Sequence, residues 1–65
     1  MRKKLREARE RRKWSLRDMG ELTGIHWTTI GRWERGVRTP TLAQLMPVAA
    51  AFRVLPSTVV RWVTE

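Results

Sequence analysis

The chain has no cysteine in its 65 residues, and this limits what it can fold into more than any motif does. A chain so short buries only about 60% of the surface it exposes when unfolded, which leaves little margin for independent stability. Small domains make up the difference with disulfides, a structural metal, a partner subunit or tight helical packing. Disulfides and the usual zinc sites need cysteine, and the single histidine, His26, cannot make a metal site alone. Helical packing remains, with or without the help of a second copy.

Charge narrows the class of partner. Fourteen Lys and Arg stand against six Asp and Glu, a formal net charge of +8. Eleven of the fourteen are arginine, which stays charged and forks onto phosphate or guanine. Such a balance points to a polyanion, with nucleic acid ahead of an anionic membrane surface. Size and inventory exclude most enzymes, and no cofactor or metal is expected. The basic N-terminus lacks the apolar stretch that follows it in a signal peptide. The longest apolar run, Leu45 to Phe52, is eight residues and contains Pro47, too short to span a bilayer. The expectation is a single cytoplasmic domain over residues 1–65 with no membrane role.

No segment alternates as a strand would, and five helical segments can be read. Residues 2–13 hold no Gly or Pro and are rich in helix formers, with Leu5, Ala8, Arg9 and Arg12 on one stripe. Ser15 with Asp18 three residues on has the form of a capping box opening a second helix. There Leu16, Met19, Gly20 and Leu22 share a face, Arg17 and Glu21 point away, and Thr23-Gly24 ends the helix. A third runs from about Trp27 to Arg35 and stops at Gly36. Thr41 can cap a fourth reaching Phe52, in which Pro47 must either kink the helix or mark its true start. Pro56 suits the first turn of a short fifth helix ending near Val63. On it Pro56, Val59 and Val63 share a core-facing side, and Trp62 lies off that side as an exposed anchor for a second copy. The fold class is all-α, a compact bundle of five short helices.

The segment Ser15 to Gly36 joins two of these helices through a tight turn centred on Gly24, with Met19, Ile25, Ile30 and Trp33 apolar. This is helix-turn-helix spacing, although an ordinary αα-hairpin carries the same apolar pattern. Gly20 falls where the two helices must approach, and its missing side chain permits the approach.

The ordered set Ser15-Leu16-Arg17-Asp18-Met19-Gly20, then Gly24-Ile25, then Ile30-Gly31-Arg32-Trp33-Glu34-Arg35-Gly36, then Pro40, resembles the phage repressor and Cro-like helix-turn-helix family. The similarity takes in Leu5, Ala8 and Arg9 upstream and Leu45, Ala49, Phe52 and Val54 downstream. It covers nearly the whole chain, and the Ile-x-x-Trp-Glu-Arg-Gly segment with Pro40 beyond it is its most specific part. The resemblance implies a second helix lying over the DNA backbone and a third in the major groove. It implies a sequence-specific transcriptional regulator that occupies a pseudo-palindromic double-stranded operator as a homodimer, assembled on the DNA if not before. It also pairs Glu34 with Arg9 as a structural tie between the first and third helices. Leu16 departs from the pattern: the family commonly places glutamine there to bind phosphate. Leucine leaves only a backbone N–H at the helix N-terminus for that task.

Around the third helix from Trp27, Ile30 and Trp33 fall on the buried side. Thr28, Gly31, Arg32 and Arg35 occupy a continuous exposed arc at roughly 40–140°. Trp27, Thr28 and Arg32 are the expected base readers. Arg32 can fork onto guanine O6 and N7, and Thr28 can offer its hydroxyl or set its methyl against thymine. A phosphate or water is the plainer fate of Arg32. Trp27 borders the buried side, so packing is also open to it. Backbone contacts are expected from Arg2, Lys4, Leu16, Arg17, His26, Thr29, Arg35 and Arg38, and His26 can serve instead as a weak helix cap. Arg2, Lys3 and Lys4 read either as a solvated helix face or as an arm touching phosphates without reading sequence. Glu34 lies on the buried side, where a lone carboxylate would be costly, and spacing alone would also allow Arg12 or Arg35 as its partner.

Three other functions fit parts of the chain. Residues 2–13 could bind RNA as helical arginine-rich peptides do. An antitoxin-type interaction module would need chain beyond what is here to hold a toxin. A membrane-active helix fails for want of a large apolar face on residues 2–13.

Overall fold

Helix boundaries follow from local hydrogen bonding. The computed structural model describes residues 3–64; Arg2, one of the expected phosphate contacts, lies outside the described residues. Among these residues there are five helices and no strand: α1 (Lys3–Arg11), α2 (Leu16–Thr23), α3 (Trp27–Glu34), α4 (Leu42–Phe52) and α5 (Pro56–Thr64). Ser15 opens α2 with a reciprocal cap. Its hydroxyl accepts from the Asp18 N–H at 3.0 Å, and the Asp18 carboxylate accepts from the Ser15 N–H at 2.8 Å. Thr41 and Gln44 do the same for α4, at 3.2 and 2.9 Å. Leu42 is therefore the true start of α4, which runs unbroken through Pro47. Pro47 forgoes the bond that an N–H there would donate to the Ala43 carbonyl, and the helix continues past it.

The chain leaves α1 and α4 through left-handed residues that are not glycine, Lys13 (φ 58°) and Arg53 (φ 57°). After α1 the Trp14 N–H donates to the Arg9 carbonyl and the Lys13 N–H to that of Glu10. After α4 the Val54 and Arg53 N–H groups donate to the Ala49 and Ala50 carbonyls. Both are the paired bonds of a Schellman closure, which satisfies the last carbonyls of a helix. Helix α1 thus ends at Arg11, short of the Lys13 that its helix-forming composition suggests.

Every helix contributes to one core: Leu5 and Ala8, Met19, Ile30 and Trp33, Leu45, Val48, Ala49 and Phe52, and Val59 and Val63 are all buried. Removing each of the larger aliphatic or aromatic side chains from water contributes about 1.5–3 kcal/mol, and Trp33 is the largest of those fully buried. Leu22 departs from the expected face: it is exposed, and Thr23 is buried in its place. Thr23 can go inside because its hydroxyl donates to the Met19 carbonyl at 2.7 Å, leaving no unpaired polar atom.

Trp62 is also a correction. It is half-buried, with its ring edge-on to Phe52 at 5.0 Å, while Trp14 meets the same ring at 4.9 Å. Helix α5 turns by 110° from α4, which carries Trp62 back over Phe52. Arg12 completes the cluster, its guanidinium 4.6 Å from the Phe52 ring centre and donating to the Phe52 and Ala8 carbonyls. A tryptophan packed there helps close the core and does not stand fully exposed as the spacing suggests.

The left-handed exits give a direct test. Arg53→Gly relieves the Cβ penalty while adding some chain entropy to the unfolded state, so it should stabilise by about 0.5–1 kcal/mol. A urea midpoint that stays put or falls would show that the Arg53 side chain offsets its own backbone cost.

Candidate nucleic-acid interface

Helices α2 and α3 are set by a turn that tolerates little change. A Cβ on Gly20 would lie 2.9 Å from the Ile25 carbonyl oxygen and 3.3 Å from the Trp27 nitrogen. Both are backbone atoms, so the glycine is what lets the second half of the unit fold back on the first. Gly24 takes φ 74° to end α2, its N–H donating to the Gly20 carbonyl. The Thr23 hydroxyl accepts from the Ile25 N–H at 3.3 Å, which holds the turn from inside.

His26 caps α3. The Thr28 N–H donates to its Nδ1 at 3.2 Å, and the Thr28 hydroxyl lies 2.7 Å from the same nitrogen. The His26 ring stacks beside Trp27 at 5.6 Å, and the Arg17 guanidinium sits 5.2 Å from the Trp27 ring centre. Trp27 is thereby gripped between a residue of α2 and the cap of its own helix, with just over a third of its surface exposed.

The other end of α3 is tied to α1. Arg9 donates from Nε to Glu34 Oε2 at 2.7 Å and from Nη2 to Oε1 at 3.1 Å, a two-pronged pair, and its Nη1 donates to the Trp14 carbonyl at 2.8 Å. Both side chains are about nine-tenths buried. Of the arginines that spacing allowed, Arg12 is engaged with carbonyls instead and Arg35 is exposed. The hydrogen bond to Glu34 raises the Arg9 pKa against the opposing effect of burial. A raised arginine pKa contributes stability that is complete below its unfolded value and lost only above its folded one. Both lie far above neutrality, so Arg9 adds no pH dependence in the ordinary range.

Between these ties, α3 presents an open surface. Leu16, Trp27, Thr28, Gly31, Arg32 and Arg35 line a shallow depression of about 170 Å³. A second, of about 210 Å³, shares Leu16, Gly31 and Arg35 with it and adds Arg6, Arg9 and Glu34. Arg17, Arg32 and Arg35 are exposed, and Thr28 and Leu16 are half-buried. Gly31 is not part of the exposed arc: it is buried, and a Cβ there would meet Arg35 Nη1 at 3.5 Å and Leu16 Cδ1 at 3.6 Å. Leu16 therefore packs the start of α2 against α3. Thr29 is half-buried, and its N–H donates to the His26 carbonyl at 3.0 Å. Arg38 is exposed in the segment after Gly36. Lys4 is placed elsewhere, in a groove between α1 and α5 with Thr58, Arg61 and Trp62.

Arg6 is the residue that sequence reasoning missed. It is exposed, lies 3.3 Å from Glu10, and borders the second depression beside Arg35. The signal was available: Arg6 is one turn before Arg9, so once Arg9 faces α3 its neighbour at i−3 must face the same way.

A small all-α unit with a tight helix-turn-helix and a cationic outer face on its second helix defines a helix-turn-helix domain. The chain belongs to the Cro/C1-type helix-turn-helix family, whose model matches residues 5–62. It is 37% identical over 54 residues to the HTH-type transcriptional regulator SutR of Escherichia coli (strain K12). That match takes in 83% of this chain and 30% of SutR's own length. No solved structure gives a significant match.

Two substitutions test the frame. Glu34→Ala leaves Arg9 buried without its partner and should destabilise by about 3–5 kcal/mol. Replacing both with apolar residues, Arg9→Met with Glu34→Leu, should cost less than either change alone, as read from thermal melts. Gly20→Ala forces its methyl against backbone and should lower stability by about 1–3 kcal/mol. A fold indifferent to that methyl would mean the turn is looser than its distances say.

Proposed function

We propose that this chain is the DNA-binding unit of a sequence-specific transcriptional regulator, acting over residues 1–65 in the compartment that holds the chromosome. It works by occupying an operator, with no chemistry of its own. The observation that carries this reading is the outer surface of α3, where Arg32 and Arg35 project beside Trp27 and Thr28, with Arg17 flanking Trp27. A helix with its side chains is about 10–12 Å across, and the major groove is about 12 Å wide. The surface so presented is donor-rich, as a groove lined by guanine acceptors and flanked by phosphates requires.

In this reading Arg32 forks onto guanine, and Thr28 and Trp27 meet the neighbouring base edges. Arg17, Thr29, Arg35 and Arg38 hold phosphates, joined by Arg6. His26 adds another contact. With Nδ1 accepting from the Thr28 N–H, the neutral ring carries its proton on Nε2, where it can donate to phosphate. Leu16 contributes packing and a backbone N–H. The first helix is a poor free-standing RNA ligand, because Arg9 and Arg12 already bind groups inside the fold.

The Cα trace measures 22 × 22 × 21 Å, less than the ~34 Å of one duplex turn. One copy reads too few base pairs to stand out among competing genomic sites. Two copies on a pseudo-palindrome solve this. With Trp62 packed inward, the exposed apolar side chains near the C-terminal end are Leu55 and Val60.

Selection of a random duplex pool with the purified protein should recover an inverted repeat, and sedimentation should find two proteins on it. Arg32→Ala should lose roughly 1–3 kcal/mol and relax preference at one base position per half-site. Arg17→Ala or Arg6→Ala should weaken every sequence alike and reduce the salt slope by about one for each phosphate no longer held. If Arg32→Ala weakened random and selected DNA equally, Arg32 would be a phosphate ligand. One protein per full site would remove the dimer.

A further inference from the structure

The cap of α3 sets the hydrogen-bonding sense of Thr28, and this inference rests on the DNA-reading function above. The Thr28 N–H points at His26 Nδ1 from 3.2 Å. A backbone N–H can only donate, so Nδ1 is an acceptor there and the neutral imidazole carries its proton on Nε2. The Thr28 hydroxyl oxygen lies 2.7 Å from that same nitrogen. Nδ1 has one lone pair, which the N–H and the hydroxyl share, so the hydroxyl proton is drawn toward the ring. What Oγ1 then turns toward its surroundings is chiefly its lone pairs.

The ring that receives the proton is held in place. It stacks beside Trp27 at 5.6 Å with an interplanar angle of 27°, and Arg17 lies over the Trp27 ring at 5.2 Å. Thr28 itself lines the depression between Leu16, Trp27 and Arg32, where a base edge would meet it.

We propose that Thr28 is a specificity-determining residue that reads an amino group, with His26 as the positioning residue that biases its hydroxyl toward accepting. In the major groove the exocyclic donors are N6 of adenine and N4 of cytosine, whereas guanine N7 and O6 and thymine O4 are acceptors. An accepting hydroxyl matches the first pair and opposes the second. Arg32, which can only donate, has the complementary preference for guanine. Two neighbouring side chains on one helix thus read opposite halves of the groove code.

The test removes single groups from the selected operator. At each adenine, 2-aminopurine takes the amino group out of the major groove while keeping the pair with thymine. At each cytosine, 2-pyrimidinone does the same. One such deletion per half-site should weaken the wild type roughly three- to tenfold, the scale of one ordinary hydrogen bond. The same deletion should have no further effect on Thr28→Val, which keeps the shape and loses the hydroxyl, and its full effect on Thr28→Ser. His26→Phe keeps a ring beside Trp27 but removes the cap and the Nε2 donor and frees the hydroxyl proton, so binding to every sequence should weaken while the sensitivity to the deletion shrinks. Coupling of Thr28→Val to 7-deazapurine or to uracil in place of thymine would overturn the assignment, since those remove an acceptor or a methyl. Full sensitivity in His26→Phe would overturn the role of His26. A selected operator with no Thr28-dependent amino group overturns this inference alone, whereas a pool from which nothing is enriched overturns the DNA-reading function with it.

Discussion

The Arg9–Glu34 pair is the contact on which the presentation of α3 depends. Helix α3 is eight residues long, too short to persist alone in water, so its direction must come from what it packs against. Trp33 and Ile30 bury one side of it in the core. Burial sets which side of the helix faces inward, but being non-directional it leaves the tilt and small rotations to other contacts. The two-pronged bond from Arg9 to Glu34 removes that freedom, and the third guanidinium bond, to the Trp14 carbonyl, fixes Arg9 to the segment that leads into α2. One side chain therefore references the outer face of α3 to both α1 and the start of the helix-turn-helix. A buried ion pair is a poor source of net stability; its value in this molecule is geometric.

The two ends of α3 are secured by different chemistry, and the difference suits their positions. The C-terminal end is held by a pair about nine-tenths buried, which reaches the outward surface only at the second depression. The N-terminal end is held by groups that also lie at that surface: His26 as cap, Trp27 beside it and Arg17 over the indole. Residues at this end cannot be exchanged for binding purposes without also changing how the helix begins. That coupling is a constraint on specificity, because a substitution at His26 alters both a cap and the hydroxyl it governs.

Much of this was legible in the residues, and what was not has physical causes. Caps built from side chains can be read directly: Ser15 with Asp18, and Thr41 opening α4, each use a side-chain oxygen at a fixed offset. Exits made by Lys13 and Arg53 could not be read, since nothing in a lysine or arginine marks a left-handed backbone. The core face of α5 followed from spacing, yet Trp62 did not, because its place over Phe52 depends on the angle between two helices. Leu22 and Thr23 exchanged roles for a similar reason: hydropathy favours the leucine, while the threonine supplies its own hydrogen bond to Met19 and turns inward without penalty.

Gly31 and Leu16 show the same limit at the candidate site. A helical wheel assigns Gly31 to the outer arc, and by angle that is correct. The wheel holds one helix only, and the side chains that cover Gly31 come from Leu16 on α2 and from Arg35 one turn later. Leu16 reads as a lost ligand when compared with a polar pattern, but in the fold it is a wedge that sets the separation of α2 and α3 where Arg35 passes. The aliphatic contact and the exposed guanidinium are then parts of one arrangement, in which packing at Gly31 aims Arg35 along the surface of α3. Arg6 joins that surface from α1, so three helices supply the cations around a face that belongs to one of them. A charge pattern assembled across three helices has no signature in any single segment, so the basic composition points to a polyanion without marking Arg6 as part of that face.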